Sequence, residues 1–330
     1  MFDEVIEYAE SLLNKDGKEY NVNDVLDKAV GLFLDSSRAN EKAQIAQHGA
    51  NHQSFIERNL ARWEGGFDKL DLFYITAQEA GVVFQENFTS IPDLENDPLL
   101  GVLMRQHAHA CRITSEIIHL LKGGYADGAL ARWRTLFEIS VNCLIINKHG
   151  KDAAIDFVRN GQIKNVEGIE EYQKTAQDMN LEPYSDEYLN QALALKAELA
   201  GDEKSFHWAR KYANGSKIEK LREYIGLGAW SHNYKLASRN IHADYTEMRS
   251  LLGMSEASEE VLLVGQSNSG ITYPAHLTVI SLLQITASFV TAYINEETEI
   301  DYQNSMFFLV LLKRYADEVG EAFLECQSTE

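Results

Sequence analysis

The sequence contains few residues that interrupt helices. Only four prolines occur in 330 residues, at positions 92, 98, 183 and 274. Because proline is poorly tolerated inside a helix, long stretches are free to be helical. Apolar residues recur at spacings of three and four over most of the length, as they do on the buried face of an amphipathic helix. The sequence therefore predicts an all-α protein, built as a multi-helix bundle.

The sequence also lacks the common cofactor, metal and hydrolase signatures. It has no Walker loop, no G-x-G-x-x-G, no G-x-S-x-G and no H-E-x-x-H. Its three cysteines, Cys111, Cys143 and Cys326, are widely spaced and form no C-x-x-C pair. This usage suits a reducing compartment and excludes a cysteine-based zinc site. We expect no cofactor and no metal.

Positive charge is scarce relative to negative charge. Thirty Lys and Arg residues stand against fifty Asp and Glu residues, which gives a formal net charge of −20. Such a chain repels phosphate backbones and anionic membrane surfaces on average. A role with nucleic acid must therefore depend on a local basic patch.

Neither export nor a membrane span is expected. The opening stretch MFDEVIEYAESLLNK has acids where a secretory signal has bases followed by an apolar run. The most apolar long stretch, residues 276–294, is interrupted by serine, threonine and glutamine, whereas a spanning helix is more uniformly apolar. We interpret it as a buried core helix in a cytoplasmic protein.

The apolar spacing and the turn residues together predict the order of elements. Two prolines and three acids in TSIPDLENDP, residues 89–98, predict a linker between an N-terminal helical extension, 1–90, and a main helical domain, 95–330. A turn composition between β-prone residues predicts a short β-hairpin near 261–273 or an ordered loop there. Helices are predicted at 2–14, 22–48, 52–87, 98–122, 126–149, 151–180, 186–200, 217–227, 230–252, 274–295 and 301–326.

Charged residues occur in a predicted helix that is otherwise apolar, GGYADGALARWRTLFEISVNCLI. Arg134 and Glu138 are four residues apart and so lie on one face. If that face is buried, the pair is costly to desolvate and must be hydrogen-bonded. Ser238 and His242 share a face of a later helix in the same way, but no acid is fixed as the orienting partner that a serine hydrolase needs.

A family resemblance links these two helices. GGYADGALARWRTLFEISVNCLIINKHG resembles the core helix of the bacterial domain-of-unknown-function family 5677, in which a W-R-T-L-F-E helix is followed by a Y-x-x-x-S-x-x-x-H helix, here Tyr234, Ser238 and His242. The resemblance extends over about residues 59–295. It implies an all-α fold and a bacterial cytoplasmic origin, and it supplies no reaction.

The polar residues of both helices carry the family pattern, so we expect them to meet across a helix pair. In this hypothesis Glu138 holds Arg134, and one of the two contacts His242. A buried arginine with a paired carboxylate and an imidazole can position a phosphate or simply fix the packing.

A more distant resemblance suggests a reaction. SRNIHAD is similar to the R-N-x-x-x-x-H motif of HEPN helical ribonucleases, which cleave RNA as dimers without metal. Arg239 and His242 are three residues apart here, a shorter spacing than that motif has. The resemblance implies a HEPN-like core, a homodimer, and RNA bound through a local patch.

These observations leave three functions open. The first is a metal-independent HEPN-like ribonuclease acting in stress, toxicity or phage defence. In it His242 is the general acid or base, Arg239 or Arg134 stabilises the phosphoryl charge, Glu138 orients the arginine, and Ser238 lies in the same site. The second is a non-catalytic scaffold or regulator in which the same polar residues are structural. The third is a small-ligand sensor, which predicts an apolar cavity beside them.

Overall fold

The structure, a computed structural model, describes residues 7, 11, 22–94, 96–201, 206–242, 250–259, 261–294 and 299–328. The predicted helix at 2–14 lies outside these residues apart from positions 7 and 11. The chain divides into two compact units, residues 1–58 and residues 59–330. The described part is all-α, as the sequence predicts, and contains no strand.

In the first unit, residues 22–58 belong to one long helix. This helix, α1 (Val22–Arg62), has 41 residues. The predicted break at 49–51 is wrong, because α1 is continuous through these residues. The Gln47 side-chain amide donates to Asn51 Oδ1 at 2.9 Å across the predicted break. An isolated glycine such as Gly49 costs a helix about 1 kcal/mol relative to alanine and does not have to end it.

Ten further helices form the described part of the second unit. In chain order they are α2 (Glu64–Thr89), α3 (Pro98–Lys122), α4 (Ala126–His149), α5 (Lys151–Thr175), α6 (Asp186–Ala200), α7 (Arg210–Ala213), α8 (Ile218–Tyr224), α9 (Ser231–His242), α10 (Thr272–Val290) and α11 (Glu299–Ser328). Short 3-10 turns stand at Pro92–Leu94, Gly228–Trp230 and Leu252–Met254.

Helix α4 lies at the centre of this unit. It packs against α3, α5, α9 and α10, while α11 packs against α2 and α10. Trp133 of α4 is fully buried, and its indole N–H donates to the Leu277 carbonyl at 3.0 Å and to Ser281 Oγ at 2.9 Å, both on α10. The polar end of this large apolar side chain is therefore satisfied inside the core.

Helix α10 is the one described helix that is long and apolar enough to cross a membrane. It has 19 residues, and 67% of its most apolar window is buried among the other helices. The hydroxyls of Thr278, Thr286 and Ser288 donate to carbonyls one turn earlier, as Thr278 does to Pro274 at 2.7 Å. Its burial agrees with its interpretation as a core helix.

Three predicted helix ends are wrong, and the helix predicted at 52–87 is divided at Trp63. The helix predicted at 274–295 ends at Val290. The helix predicted at 151–180 ends at Thr175, and Asn180 adopts a left-handed backbone with φ of 55°. The helix predicted at 230–252 has its last described helical residue at His242, and a 3-10 turn forms at Leu252–Met254. Helix α7, a single turn, was not predicted because four residues carry no periodicity.

The sequence allowed either a hairpin or an ordered loop near 261–273. The structure shows the ordered loop, which is followed by α10 from Thr272. Asp127 of α4 accepts hydrogen bonds from the backbone N–H groups of Leu252 and Gly253, at 2.8 and 3.1 Å. Gly270 adopts φ of 74°, and a Cβ there would lie 2.4 Å from the Leu252 carbonyl oxygen. Only glycine fits this close approach.

One residue of the predicted linker, Asp97, has a carboxylate that contacts three other residues. Asp97 caps α3 by accepting from the Leu100 N–H at 3.0 Å, pairs with Lys151 Nζ at 2.6 Å, and accepts from the Tyr293 hydroxyl. Residues 59–89 pack within the second unit. The division into domains 1–90 and 95–330 stays a prediction, since packing in one chain does not show which segments fold on their own.

One buried histidine makes the stability depend on pH. Burial lowers the pKa of His107 from 6.5 to about 4, while the unfolded chain binds a proton near pH 6.5. The stabilisation is fully present above pH 6.5 and is lost as the pH falls from 6.5 to about 4. Relative to His107→Gln, we expect the wild type to lose about 3 kcal/mol more of its unfolding free energy across this window.

Urea unfolding at several pH values measures this difference. His232→Gln, at an exposed position, is the matched control and should keep the wild-type pH dependence. Equal pH slopes for the wild type and His107→Gln would contradict the prediction.

Candidate functional site

The two motif helices cross at a group of aromatic rings. Phe137 of α4 stacks on Trp230 at 5.8 Å between ring centroids and contacts the ring of Tyr234 of α9 at 5.9 Å. Phe137 is fully buried, and Tyr234 is 5% exposed. This apolar contact fixes how α9 lies on α4 and so positions the polar groups beside it.

A polar cluster centred on a tyrosine lies at this crossing. The Tyr234 hydroxyl donates to Glu138 Oε1 at 2.6 Å and accepts from Arg134 Nε at 2.9 Å. Arg134 Nε also lies 3.2 Å from the same Glu138 oxygen. We call these three residues the Tyr234 cluster. Its arginine and glutamate side chains are 27% and 40% exposed, so the cluster is open to solvent on one side.

The protonation states of the cluster follow from its surroundings. Burial, together with the hydrogen bond to the Glu138 carboxylate, raises the pKa of Tyr234 to about 12. Burial alone lowers the pKa of Arg134, but its contacts with Tyr234 and Glu138 outweigh burial and raise it overall. At neutral pH the tyrosine is therefore a neutral donor, and the arginine is a fixed cation.

The other arginine of the apolar helix meets a different neighbour. Arg132 forms an ion pair with Glu116 of α3, and Arg132 Nη1 lies 3.4 Å from Thr135 Oγ1. The ions in this helix are thus satisfied by partners on the helices packed against it, Arg132 on α3 and Arg134 on α9. These partners offset the cost of removing the two arginines from water, which the sequence analysis identified.

The structure brings some of the predicted site residues together. Arg134 and Glu138 contact α9, as expected, but through Tyr234. The Ser238 hydroxyl instead donates to the Tyr234 carbonyl one turn earlier, at 2.7 Å. Arg239 is exposed. His242 is the last residue of α9, and its side chain lies outside the described residues, so its contact with the cluster stays a prediction.

Sequence reasoning missed two residues at this site. Tyr234 was part of the family pattern, but tyrosine was not weighed as the group that joins the helices. Arg222 of α8 is 4% exposed, and its Cζ lies 5.6 Å from the Tyr234 ring centroid. In KIEKLREY it is one base among several charges, so no sequence signal distinguishes it from a surface residue.

The described residues contain no group of three or more His, Cys, Asp and Glu side chains placed to hold a metal ion. The chemistry available at the Tyr234 cluster is that of a fixed cation, a carboxylate and a neutral phenol. Such a set can hold and orient an anionic group.

Tyr234→Phe tests whether the hydroxyl joins α4 to α9. The variant keeps the ring packing but leaves Arg134 and Glu138 without their shared partner. We expect the unfolding free energy to fall by about 1–2 kcal/mol in urea titrations. Tyr188→Phe, at a half-exposed position on α6, is the control and should unfold like the wild type. A Tyr234→Phe variant as stable as the wild type would show that the hydroxyl contributes nothing to packing.

Comparisons with known proteins give one match. Residues 100–260 match a family described as "Family of unknown function (DUF5677)". No curated protein and no solved structure matches the chain. The matched residues begin within α3 and include both α4 and α9, so they contain the whole Tyr234 cluster. The family resemblance expected from the W-R-T-L-F-E and Y-x-x-x-S-x-x-x-H helices is thus confirmed over residues 100–260, and this part of the chain is similar to a family whose function is unknown.

Proposed function

We propose that this protein is a metal-independent ribonuclease of the HEPN-like type, with its site where α4 crosses α9. One observation carries the proposal: Arg134 is a partly exposed cation that Glu138 and Tyr234 hold in place beside α9, the helix of Arg239 and His242. A cation fixed in advance stabilises developing phosphoryl charge without a cost of reorganisation.

The charge of α9 supports this location. The helix contains no Asp or Glu, although the chain has fifty. Lys235 and Arg239 are exposed on it, and Arg134 and Arg222 lie beside its Tyr234 ring. This is the kind of local basic patch that RNA binding requires in a protein with a net charge of −20.

The proposed reaction is transesterification within the RNA. The 2′-oxygen attacks the phosphorus, the bond from phosphorus to the 5′-oxygen breaks, and a 2′,3′-cyclic phosphate and a 5′-hydroxyl result. His242 accepts the proton of the 2′-hydroxyl or donates one to the leaving oxygen. Arg239 or Arg134 balances the charge on the phosphoryl oxygens. Glu138 and Tyr234 are positioning residues for Arg134, and Ser238 supports the same turn of α9.

Cleavage of single-stranded RNA in the presence of a metal chelator tests the proposal. We expect the wild type to cleave, and His242→Ala to lose about 100-fold or more in rate, as is typical for loss of a general acid or base. Arg239→Gln and Arg134→Gln should also be slower, with circular dichroism checking that every variant is folded. Arg105→Gln, at an exposed position on α3, is the control and should cleave like the wild type.

Cells that express the wild type and the His242→Ala variant give a second readout through growth and total-RNA integrity. Intact RNA with purified wild type and in cells would overturn the ribonuclease proposal. It would favour the scaffold, since the Tyr234 cluster satisfies its own hydrogen bonds and Ser238 bonds to its own helix.

The small-ligand sensor also has an observation in its favour. A groove of about 540 Å³, mostly apolar, is lined by His232 and Leu236 of α9 and by Tyr273 and His276 of α10. Its volume suits a small molecule. Because the groove borders the helix of the Tyr234 cluster, a ligand there would contact the same element.

We also propose that the protein is a homodimer that pairs through an apolar face of α2 and α11. The face comprises exposed side chains that one protein chain has no reason to present to water. Phe307 projects from it with 63% exposure. We define the face by its exposed apolar members, which are Ile75, Val82, Tyr302, Met306, Phe307 and Val310.

The face has the features of a self-complementary interface. A cleft beside Phe307 has Arg314 at its edge, and a second cleft, lined by Val82 and Phe308, has Glu79. With two-fold symmetry, a projecting phenylalanine of each copy can enter a cleft of the other, and the opposite charges can pair.

Size-exclusion chromatography with light scattering tests the dimer. We expect the wild type to elute as a dimer and Phe307→Glu as a monomer, because the variant places a charge in the apolar face. Leu195→Glu, at an exposed position of α6, is the control and should stay dimeric. A wild type that is monomeric at all concentrations, or a dimeric Phe307→Glu variant, would overturn the proposed interface.

A further inference from the structure

A buried arginine beside the Tyr234 cluster has an incomplete set of partners. Arg222 is 4% exposed, and its Nη2 donates to Ser231 Oγ at 2.9 Å. Its Nε and Nη1 are shielded from solvent and have no hydrogen-bond partner among the described residues. An ionised group that is removed from water without hydrogen bonds or a counter-charge is strongly unfavourable, so a native protein seldom leaves one in this state.

The nearest carboxylate of the cluster is already engaged. Glu138 accepts from both Tyr234 and Arg134, at 2.6 and 3.2 Å. No carboxylate forms an ion pair with Arg222 within the described part of the chain. Among the described residues, therefore, no protein group supplies the counter-charge for Arg222.

The surroundings of Arg222 favour an anion. Its hydrogen-bond partner, Ser231, is the first residue of α9, a helix of 12 residues whose dipole places partial positive charge at that end. Arg134, whose charge Glu138 balances, approaches the same Tyr234 ring, with its Cζ 4.9 Å from the ring centroid. Ser231 thus lies at the N-terminus of a helix and accepts a hydrogen bond from a buried guanidinium that has no ion-pair partner among the described residues.

We propose that Arg222 and Ser231 form a binding site for a phosphate group at the N-terminus of α9. Arg222 Nε and Nη1 donate to phosphate oxygens. Ser231 Oγ accepts from Arg222 Nη2, so its own hydrogen is available to donate to the phosphate as well. Phosphate suits this site because it has charge and acceptor oxygens enough for several donors at once.

The site deepens the proposed ribonuclease function, and in that respect rests on it, because the RNA backbone is then the source of the phosphate. Arg222 would hold a phosphate of the bound strand, while Arg134 and Arg239 lie nearer the exposed side of α9. The turn between α8 and α9 is the proposed entry, because Gly226 is exposed there and nothing lies within 4 Å of a Cβ position.

Thermal unfolding of the full chain with inorganic phosphate tests the site, at constant ionic strength with chloride as the reference salt. We expect saturating phosphate to raise the wild-type Tm by about 2–4 °C, because a ligand that binds only the folded state stabilises it. Arg222→Met should show no phosphate-dependent rise. Its Tm without phosphate should equal or exceed that of the wild type, since the variant no longer buries an uncompensated charge.

Two further variants keep the test decisive. Arg105→Met, at an exposed position, is the matched control and should respond to phosphate like the wild type. Ser231→Ala keeps Arg222 and removes one donor, so it should need several-fold more phosphate for the same rise in Tm. It also supplies the answer if Arg222→Met does not fold.

A 2′-O-methyl RNA, which has no 2′-hydroxyl and cannot be cleaved, forms the second arm and identifies the source of the phosphate. A Tm rise with this RNA that depends on Arg222 supports a backbone phosphate, and a rise with inorganic phosphate alone supports a free ion. No rise of the wild-type Tm with either probe, or an equal rise in Arg222→Met, overturns the site. An Arg222-dependent rise in a protein that does not cleave RNA overturns the ribonuclease and leaves the phosphate site standing.

Discussion

The burial of α4 is the constraint on which the arrangement of the second unit depends. A helix enclosed on most of its circumference cannot leave a polar side chain unsatisfied, so each polar group on it has to find a partner on a neighbouring helix. Arg132 binds Glu116 of α3, and Arg134 binds Tyr234 of α9. Three more contacts complete the pattern: Ser140 with Gln284 and Asn147 with Thr291 near α10, and His149 with Tyr224 of α8. The polar residues of α4 thus contact partners on α3, α8 and α9 and near α10, and add to the apolar packing that positions these helices.

This arrangement also explains what the sequence could predict. The all-α fold and the bounds of α3, α4 and α6 follow from apolar spacing and from Asp97, Gly123 and Ser185, residues that cap or end helices. The break at 49–51 was wrong because a single glycine does not end a helix that i, i+4 contacts carry through it. The end of α5 was misplaced because the apolar spacing continues beyond Thr175, where the helix ends.

The candidate site was only half predictable for a physical reason. The spacing of Arg134 and Glu138 shows that they share a face, and burial then requires a partner for them. Spacing on α9 cannot rank Tyr234, Ser238 and His242, because all three lie one turn apart on the same face. The choice depends on reach: a tyrosine hydroxyl extends far enough to cross between helices, whereas a serine hydroxyl reaches its own backbone. Arg222 could not be recognised at all, since its burial depends on how α8 packs.

The contacts of Asp97 bear on how the chain folds. This one carboxylate joins the start of α3 to the start of α5 and to Tyr293, which lies 196 residues further along the chain. Contacts between such distant residues form late, because closing a long loop costs entropy before the contact returns any energy. The carboxylate therefore acts mainly on how long the folded state persists once formed, and little on how quickly it is reached.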